Sequence, residues 1–189
     1  VTYRMQRLDQ VWAWAISWDA VHAAQVLTLM QAGYMKNGAP DALGYMMNLG
    51  FQNGKPVYMV QGMFCGSRED GLVAIAPLMA IPSAQLLVDK TGTYPDMNVW
   101  LEDHPYTLPD NLPDGIAETK ASGYINTRLS PADWQRIIDY FKTSPNPWSL
   151  AYLEPYGGAL NRYPMADSAF VHRNVDTDLV VDVFWRNPA

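Results

Sequence analysis

Two apolar runs, Leu43 to Phe51 and Pro56 to Phe64, are separated by a short polar stretch containing Asn53-Gly54. Both residues of this dipeptide tolerate positive φ, as a two-residue turn requires, and the twist of that turn matches the strands it joins. The segment therefore reads as an antiparallel hairpin. A hairpin cannot bury its apolar side alone, so the remaining chain has to supply more strands and covering helices.

It contains the signals for both. Trp12, Trp14, Ile16 and Trp18 alternate with Ala13, Ala15 and Ser17, the period of a strand. Asp19 is placed to cap a helix whose Ala23, Val26, Leu27 and Met30 share one face, with Gly33 suited to end it in the left-handed conformation. Ser67 and Asp70 have capping-box spacing ahead of Leu72, Ile75, Ala76 and Met79. A strand is expected from Ala84 to Asp89, then a long loop with at most a short helix from Lys90 to Thr119, where Pro, Gly and acids dominate. Ser130-Pro131-Ala132-Asp133 starts a helix with Trp134, Ile137, Ile138 and Phe141 as its buried stripe. Two strands complete the chain, Trp148 to Tyr156 and Thr177 to Trp185. Together these predict an α+β fold, a mostly antiparallel sheet with helices packed on one face and the other face open.

Composition narrows the function. A net charge of −6 without any Lys/Arg cluster argues against nucleic acid as a partner. Pro77, Pro82, Ser83 and Gln85 interrupt the one long apolar stretch, so no membrane span is expected. His22, His104 and His172 show no ligand spacing, and Cys65 is the sole cysteine, so no metal site is expected either. Cys65 reads as a small packed residue, and Trp12, Trp14 and Trp18 as core. The residue count suits a single domain spanning 1–189, and both ends read as cut from a longer protein.

Alternation puts Tyr152, Glu154 and Tyr156 on one side of their strand and Ala151 and Leu153 on the other. On the last strand Asp178, Val180 and Asp182 share a side. The small apolar sets suit the helices, which leaves carboxylates and phenols on the opposite face. Such a group beside a partly dry wall can be tuned to abstract a proton from a hydroxyl. The plainer reading of the same pattern is a solvated face of a one-sided sheet.

A more specific signal is Tyr152-Leu153-Glu154-Pro155-Tyr156-Gly157-Gly158-Ala159, followed by Ala169-Phe170-Val171-His172-Arg173 and a strand ending in Trp185. It resembles the aromatic-Gly-Gly and Phe-Pro-His-Arg elements of the substrate domain in berberine-bridge-type and oligosaccharide-oxidase-like flavoproteins of the vanillyl-alcohol-oxidase superfamily. Val60-Gln61-Gly62-Met63-Phe64-Cys65-Gly66 and Ala76-Pro77-Leu78 resemble further pieces in the same order. The resemblance implies a substrate-binding domain whose open sheet face looks at a flavin. FAD would be held mainly by a flavin-binding domain of the same parent protein, and a small-molecule alcohol, sugar or secondary metabolite would pass a hydride to it. Carried over, Glu154 and Tyr156 are the candidate catalytic residues, with Tyr152, Asp178 and Asp182 lining the substrate. The register of the last strand leaves Asp178, Val180 or Asp182 at the position of the family's acidic residue. The flavin domain, its attachment residues and the returning C-terminal segment are absent from residues 1–189, so the chain alone is not expected to turn over.

Val171 stands where the family has Pro. His172 and Arg173 are expected to brace the bend rather than bind substrate, since a buried turn needs donors for its carbonyls. Two readings of other classes compete: a stand-alone ligand-binding or dimerisation module without catalysis, and glycoside hydrolysis by Glu154 with Asp182.

Overall fold

The structure, a computed structural model, describes residues 8–36, 38–102 and 114–186. In chain order the strands are β1 (Val11–Trp18), β2 (Leu43–Gln52), β3 (Lys55–Phe64), β4 (Gln85–Gly92), β5 (Ile116–Ile125), β6 (Leu150–Pro155) and β7 (Thr177–Arg186). The helices are α1 (Ala23–Gly33), α2 (Arg68–Met79), α3 (Tyr94–Glu102), α4 (Pro131–Phe141) and the short α5 (Gly158–Arg162). The strands form one sheet in the order β4-β1-β3-β2-β6-β7-β5. Every pairing in it is antiparallel.

The hairpin is as expected. Asn53 (φ 51°) and Gly54 (φ 73°) form its turn, and β2 pairs with β3 from Gln52 opposite Lys55 to Leu43 opposite Phe64. Trp12, Trp14, Ile16 and Trp18 enter the main core with Val26, Leu27 and Met30 of α1, Ile75 and Leu78 of α2, and Trp134 and Ile138 of α4. The first face of the sheet is thus covered by α1, α2 and α4. Ser130 caps α4 with a full capping box: its hydroxyl accepts from the Asp133 amide at 3.2 Å, and Asp133 Oδ2 accepts from the Ser130 amide at 3.0 Å.

Several local expectations are corrected. Asp19 makes no side-chain cap; a 3-10 turn at Ala20–His22 intervenes before α1. Gly33 is the last residue of α1 and is not left-handed; Lys36 (φ 58°) makes that reversal instead. On α2 the buried stripe is Gly71, Ile75 and Leu78, while Ala76 is exposed and Pro77 lies within the helix. Cys65 is exposed rather than packed.

The larger differences lie between Lys90 and Thr119. Thr93 Oγ1 donates to Asp96 Oδ2 at 2.6 Å and starts α3. Met97 and Leu101 of that helix pack on Val11, Ala13, Ala15 and Val88, which point away from the main core. One end of the second face therefore carries a small cluster of its own. The chain then returns as β5, the outermost strand beside β7, where a loop was expected. His104, Leu108-Pro109-Asp110 and Leu112-Pro113 lie outside the described residues. No described helix is long and apolar enough to cross a membrane.

Candidate functional site

Residues opposite one another on neighbouring strands share a face, so the register settles where the candidate side chains sit. Glu154 lies opposite Asp178, and Asp178 lies opposite Tyr124 of β5. One step along the sheet, Asn48, Tyr152, Val180 and Ser122 form the next row. Beyond it come Leu150, Asp182 and Lys120. All of these lie on the second face, because the alternate residues Leu153 and Ala151 belong to the core beneath α1 and α4. Glu154 is exposed and Tyr156 half-buried, so neither is sealed beneath the helices.

The three acids of these rows differ in environment. Asp178 is nearly buried, and its Oδ1 has no hydrogen-bond partner among the described residues. Asp182 is also buried, but Lys120 Nζ lies 2.9 Å from its Oδ2 and 3.0 Å from Glu118 Oε1. Burial pushes the Asp182 carboxyl upward, and the Lys120 ammonium opposes that shift. Lys120 ties only Asp182 Oδ2; Asp182 Oδ1, like Asp178 Oδ1, has no hydrogen-bond partner among the described residues.

Tyr156 follows β6 at a close crossing of the chain. The Lys36 amide donates to Tyr156 O at 2.8 Å, and a Cβ on Gly157 would collide with Lys36 O, so only glycine fits there. Around Tyr156 the aromatic rings close a box. Tyr124 meets Tyr156 edge-on at 5.7 Å and lies 4.3 Å from His172; Phe170 stacks on Tyr156 at 6.1 Å and meets His172 edge-on at 5.5 Å. Burial, the hydrogen bond that the Tyr156 O–H donates to Tyr124, and the nearby Asp178 and Glu154 raise the Tyr156 phenol well above its ordinary range. The Tyr152 phenol is raised as well, chiefly by burial. Both phenols are therefore neutral donors at ordinary pH rather than bases, which narrows the proton-accepting role to a carboxylate.

Arg173 holds the loop that carries Phe170 and His172. Its Nε donates to Phe170 O at 3.1 Å, Nη1 to Leu160 O at 3.0 Å and Nη2 to Ser168 Oγ at 2.7 Å. Its guanidinium also lies over the rings of Phe170 (4.9 Å) and Tyr163 (5.2 Å). Arg173 is thus the brace expected from the sequence. His172 contributes stacking on Tyr124 instead of bracing the bend.

Nothing in the sequence marks Tyr124, Ser122 and Lys120 as site residues, because β5 begins inside the Lys90–Thr119 stretch expected to be loop and is exposed along most of its length. No group of three or more metal-ligating side chains occurs among the described residues.

No protein-family model matches the chain, and no curated protein matches its sequence. Solved structures do. BBE-like 1 of Physcomitrella patens superposes with a TM-score of 0.78 at 18% identity, over 95% of this chain and 40% of that one. BBE-like 28 of Arabidopsis thaliana gives 0.75 at 14%, over 94% and 37%. The glucooligosaccharide oxidase of Acremonium strictum gives 0.70 at 17%, over 93% and 38%. The fold is that of a berberine-bridge-enzyme-like domain. The berberine-bridge-like fold accounts for nearly the whole chain, whereas the chain spans well under half the length of each of these structures.

Proposed function

We propose that this chain is the substrate-binding side of an FAD-dependent oxidoreductase that oxidises an alcohol, sugar or secondary metabolite by hydride transfer to flavin. The observation that carries the reading is the in-register row of Glu154, Asp178 and Tyr124 on the sheet face turned away from α1, α2 and α4. The shared fold supports it, since the Acremonium strictum oxidase carries FAD.

The residues present fit the substrate side of such a site. An exposed carboxylate, a buried carboxylate oxygen without a partner and an aromatic box can hold and deprotonate a hydroxyl compound. In this reading the cofactor's pyrophosphate is held by a flavin-binding domain of the same parent. Bound FAD supplies the hydride acceptor.

In this reading a Glu154 carboxylate oxygen takes the substrate hydroxyl proton, which frees the oxygen's electrons to form the carbonyl. The neutral Tyr156 phenol turns its one hydrogen bond from Tyr124 to the same oxygen. Tyr152 and Asp178 orient the substrate, and Asp182 with Lys120 sets the local charge. Hydrolysis by Glu154 and Asp182 fits poorly. Asp182 pairs with Leu150, four residues from Glu154, which puts their backbones about 13 Å apart along the strand, against the roughly 5–9.5 Å between carboxyls that glycosidases use.

The test is anaerobic mixing of the intact parent protein with sugars and secondary-metabolite alcohols. A substrate bleaches the visible flavin absorbance, and Glu154→Gln slows that bleaching by roughly 10²–10⁴-fold, the usual worth of a positioned base. A colourless parent, or one that no such compound bleaches, overturns the reading.

A further inference from the structure

A buried acid that the proposed chemistry does not use holds the candidate site from behind. Asp176 immediately precedes β7 and is only 6% exposed. Its main chain reaches both strands that carry the aromatic box. The Tyr156 amide donates to Asp176 O at 2.9 Å, and the Asp176 amide donates to Ile125 O, next to Tyr124, at 2.8 Å. Thr177, fully buried, adds a third tie, its Oγ1 donating to Glu154 O at 2.9 Å. Glu154, Tyr156 and the end of β5 are thus fastened to two consecutive residues.

The Asp176 side chain joins that point to the end of α1. Its Oδ2 accepts from Gln31 Nε2 at 2.8 Å. Lys36 Nζ lies 3.0 Å from Oδ1, as an ion pair rather than an aligned hydrogen bond. Lys36 also holds the other side of Tyr156, since its amide donates to Tyr156 O at 2.8 Å, while Lys36 O accepts from the Gly158 amide at 3.3 Å. The contacts close a ring that runs from the Tyr156 main chain through Asp176, its carboxylate and the Lys36 ammonium back to Tyr156. Lys36 sits in the left-handed region at φ 58°, a conformation that a residue with a side chain keeps only where its surroundings hold it. Removing either partner would leave Asp176 buried with its charge only partly compensated. A residue gripped at both its N–H and its C=O by two side-chain-paired neighbours has little freedom to move its ring.

We propose that the Lys36–Asp176 ion pair is a positioning device that fixes the Tyr156 main chain, and with it the phenol ring, relative to Glu154 and Tyr124. Neither residue belongs to the acidic rows, so both act through Tyr156 and are positioning residues. The geometric part stands on the contacts alone. Only the effect on turnover rests on the flavoenzyme reading.

Asp176→Asn and Lys36→Met remove the pair at nearly constant size, and Lys36→Arg keeps the charge. In the 189-residue chain, hydrogen exchange of the Tyr156 and Lys36 amides is measured together with ring-to-ring Overhauser contacts among Tyr124, Tyr156, Phe170 and His172. Both amides exchange roughly tenfold faster in Asp176→Asn and Lys36→Met, the Tyr124–Tyr156 contact weakens, and the amides of β1 and β3 keep their protection. Lys36→Arg recovers more than half of the loss. In the parent, the same two variants lower the limiting rate of flavin bleaching roughly 10- to 100-fold, as a misplaced group does, while the half-saturating substrate concentration changes by less than about twofold. Should Asp176→Asn fail to fold, Lys36→Met, at a side chain 39% exposed, carries the comparison. Unchanged ring contacts, or a lower urea midpoint with unchanged local exchange, marks a pair that only stabilises the fold and overturns the proposal. A loosened box in a parent that no compound bleaches keeps the positioning and removes the flavoenzyme reading; bleaching at an unchanged limiting rate in the variants does the reverse.

Discussion

Replacing Arg173 by Met removes three hydrogen bonds and two guanidinium–ring contacts while keeping most of the side-chain volume. A hydrogen bond from a charged donor is worth about 1.5–3 kcal/mol, and an exposed cation–ring contact about 0.5–1 kcal/mol. The side chain is half-buried and its contacts share one group, so the sum has to be discounted heavily; roughly 2–4 kcal/mol is expected. That loss falls on the segment from α5 to β7, which Arg173 ties together, and not on the main core. Native-state hydrogen exchange reads it directly. The amides of Tyr163 and Arg173, bonded to Ala159 O and Val171 O, should exchange roughly 30- to 700-fold faster, while the amides of β1 and β3 keep their protection. Arg173→Lys should recover less than half of the loss, because an ammonium cannot reproduce the planar fork. If loop exchange changes by less than about threefold, or rises equally throughout the sheet, Arg173 is not the brace described.

Gly157→Ala should destabilise the chain by roughly 1–3 kcal/mol, as overpacked sites do, because the added methyl meets Lys36 O; urea unfolding measures this. Stability should also depend on pH in the alkaline range. Burial pushes the Tyr34 phenol up to about 12 and those of Tyr45, Tyr58 and Tyr156 higher still, whereas unfolded phenols titrate near 10. The folded state therefore holds these protons longer. Their contribution is complete below about pH 10 and is lost as pH rises through the folded values. Urea midpoints from pH 8 to 11 should stay level and then fall, and a Tyr58→Phe variant should fall less steeply. Trp134→Ala, at a fully buried position of α4, should cost about 3–5 kcal/mol in the same assay.

What the sequence reveals depends on how much each element buries. The Trp-rich strand, the Asn53-Gly54 hairpin and α4 announce themselves because each pairs an apolar period with a turn or cap. The acidic face was legible for the same reason: Ala151 and Leu153 mark the covered side of β6, so Glu154 has to lie on the other. β5 gave no such signal. It is exposed along most of its length, so no apolar alternation is required of it, and prolines precede it. With β5 unread, Tyr124 and the Lys120 partner of Asp182 went unread too. α3 did leave a trace, the Thr93-Tyr94-Pro95-Asp96 run with its cap spacing and early Pro, which the density of prolines nearby obscured.

Because β5 is an edge strand, paired among the described residues with β7 alone, two unlike components of the chemistry depend on the same ladder. If that strand peels away, Asp182 loses its counter-ion and His172 loses the ring it rests on in the same motion. The charge balance and the aromatic wall of the face are therefore kept or forfeited together, and ten register pairs with β7 decide which.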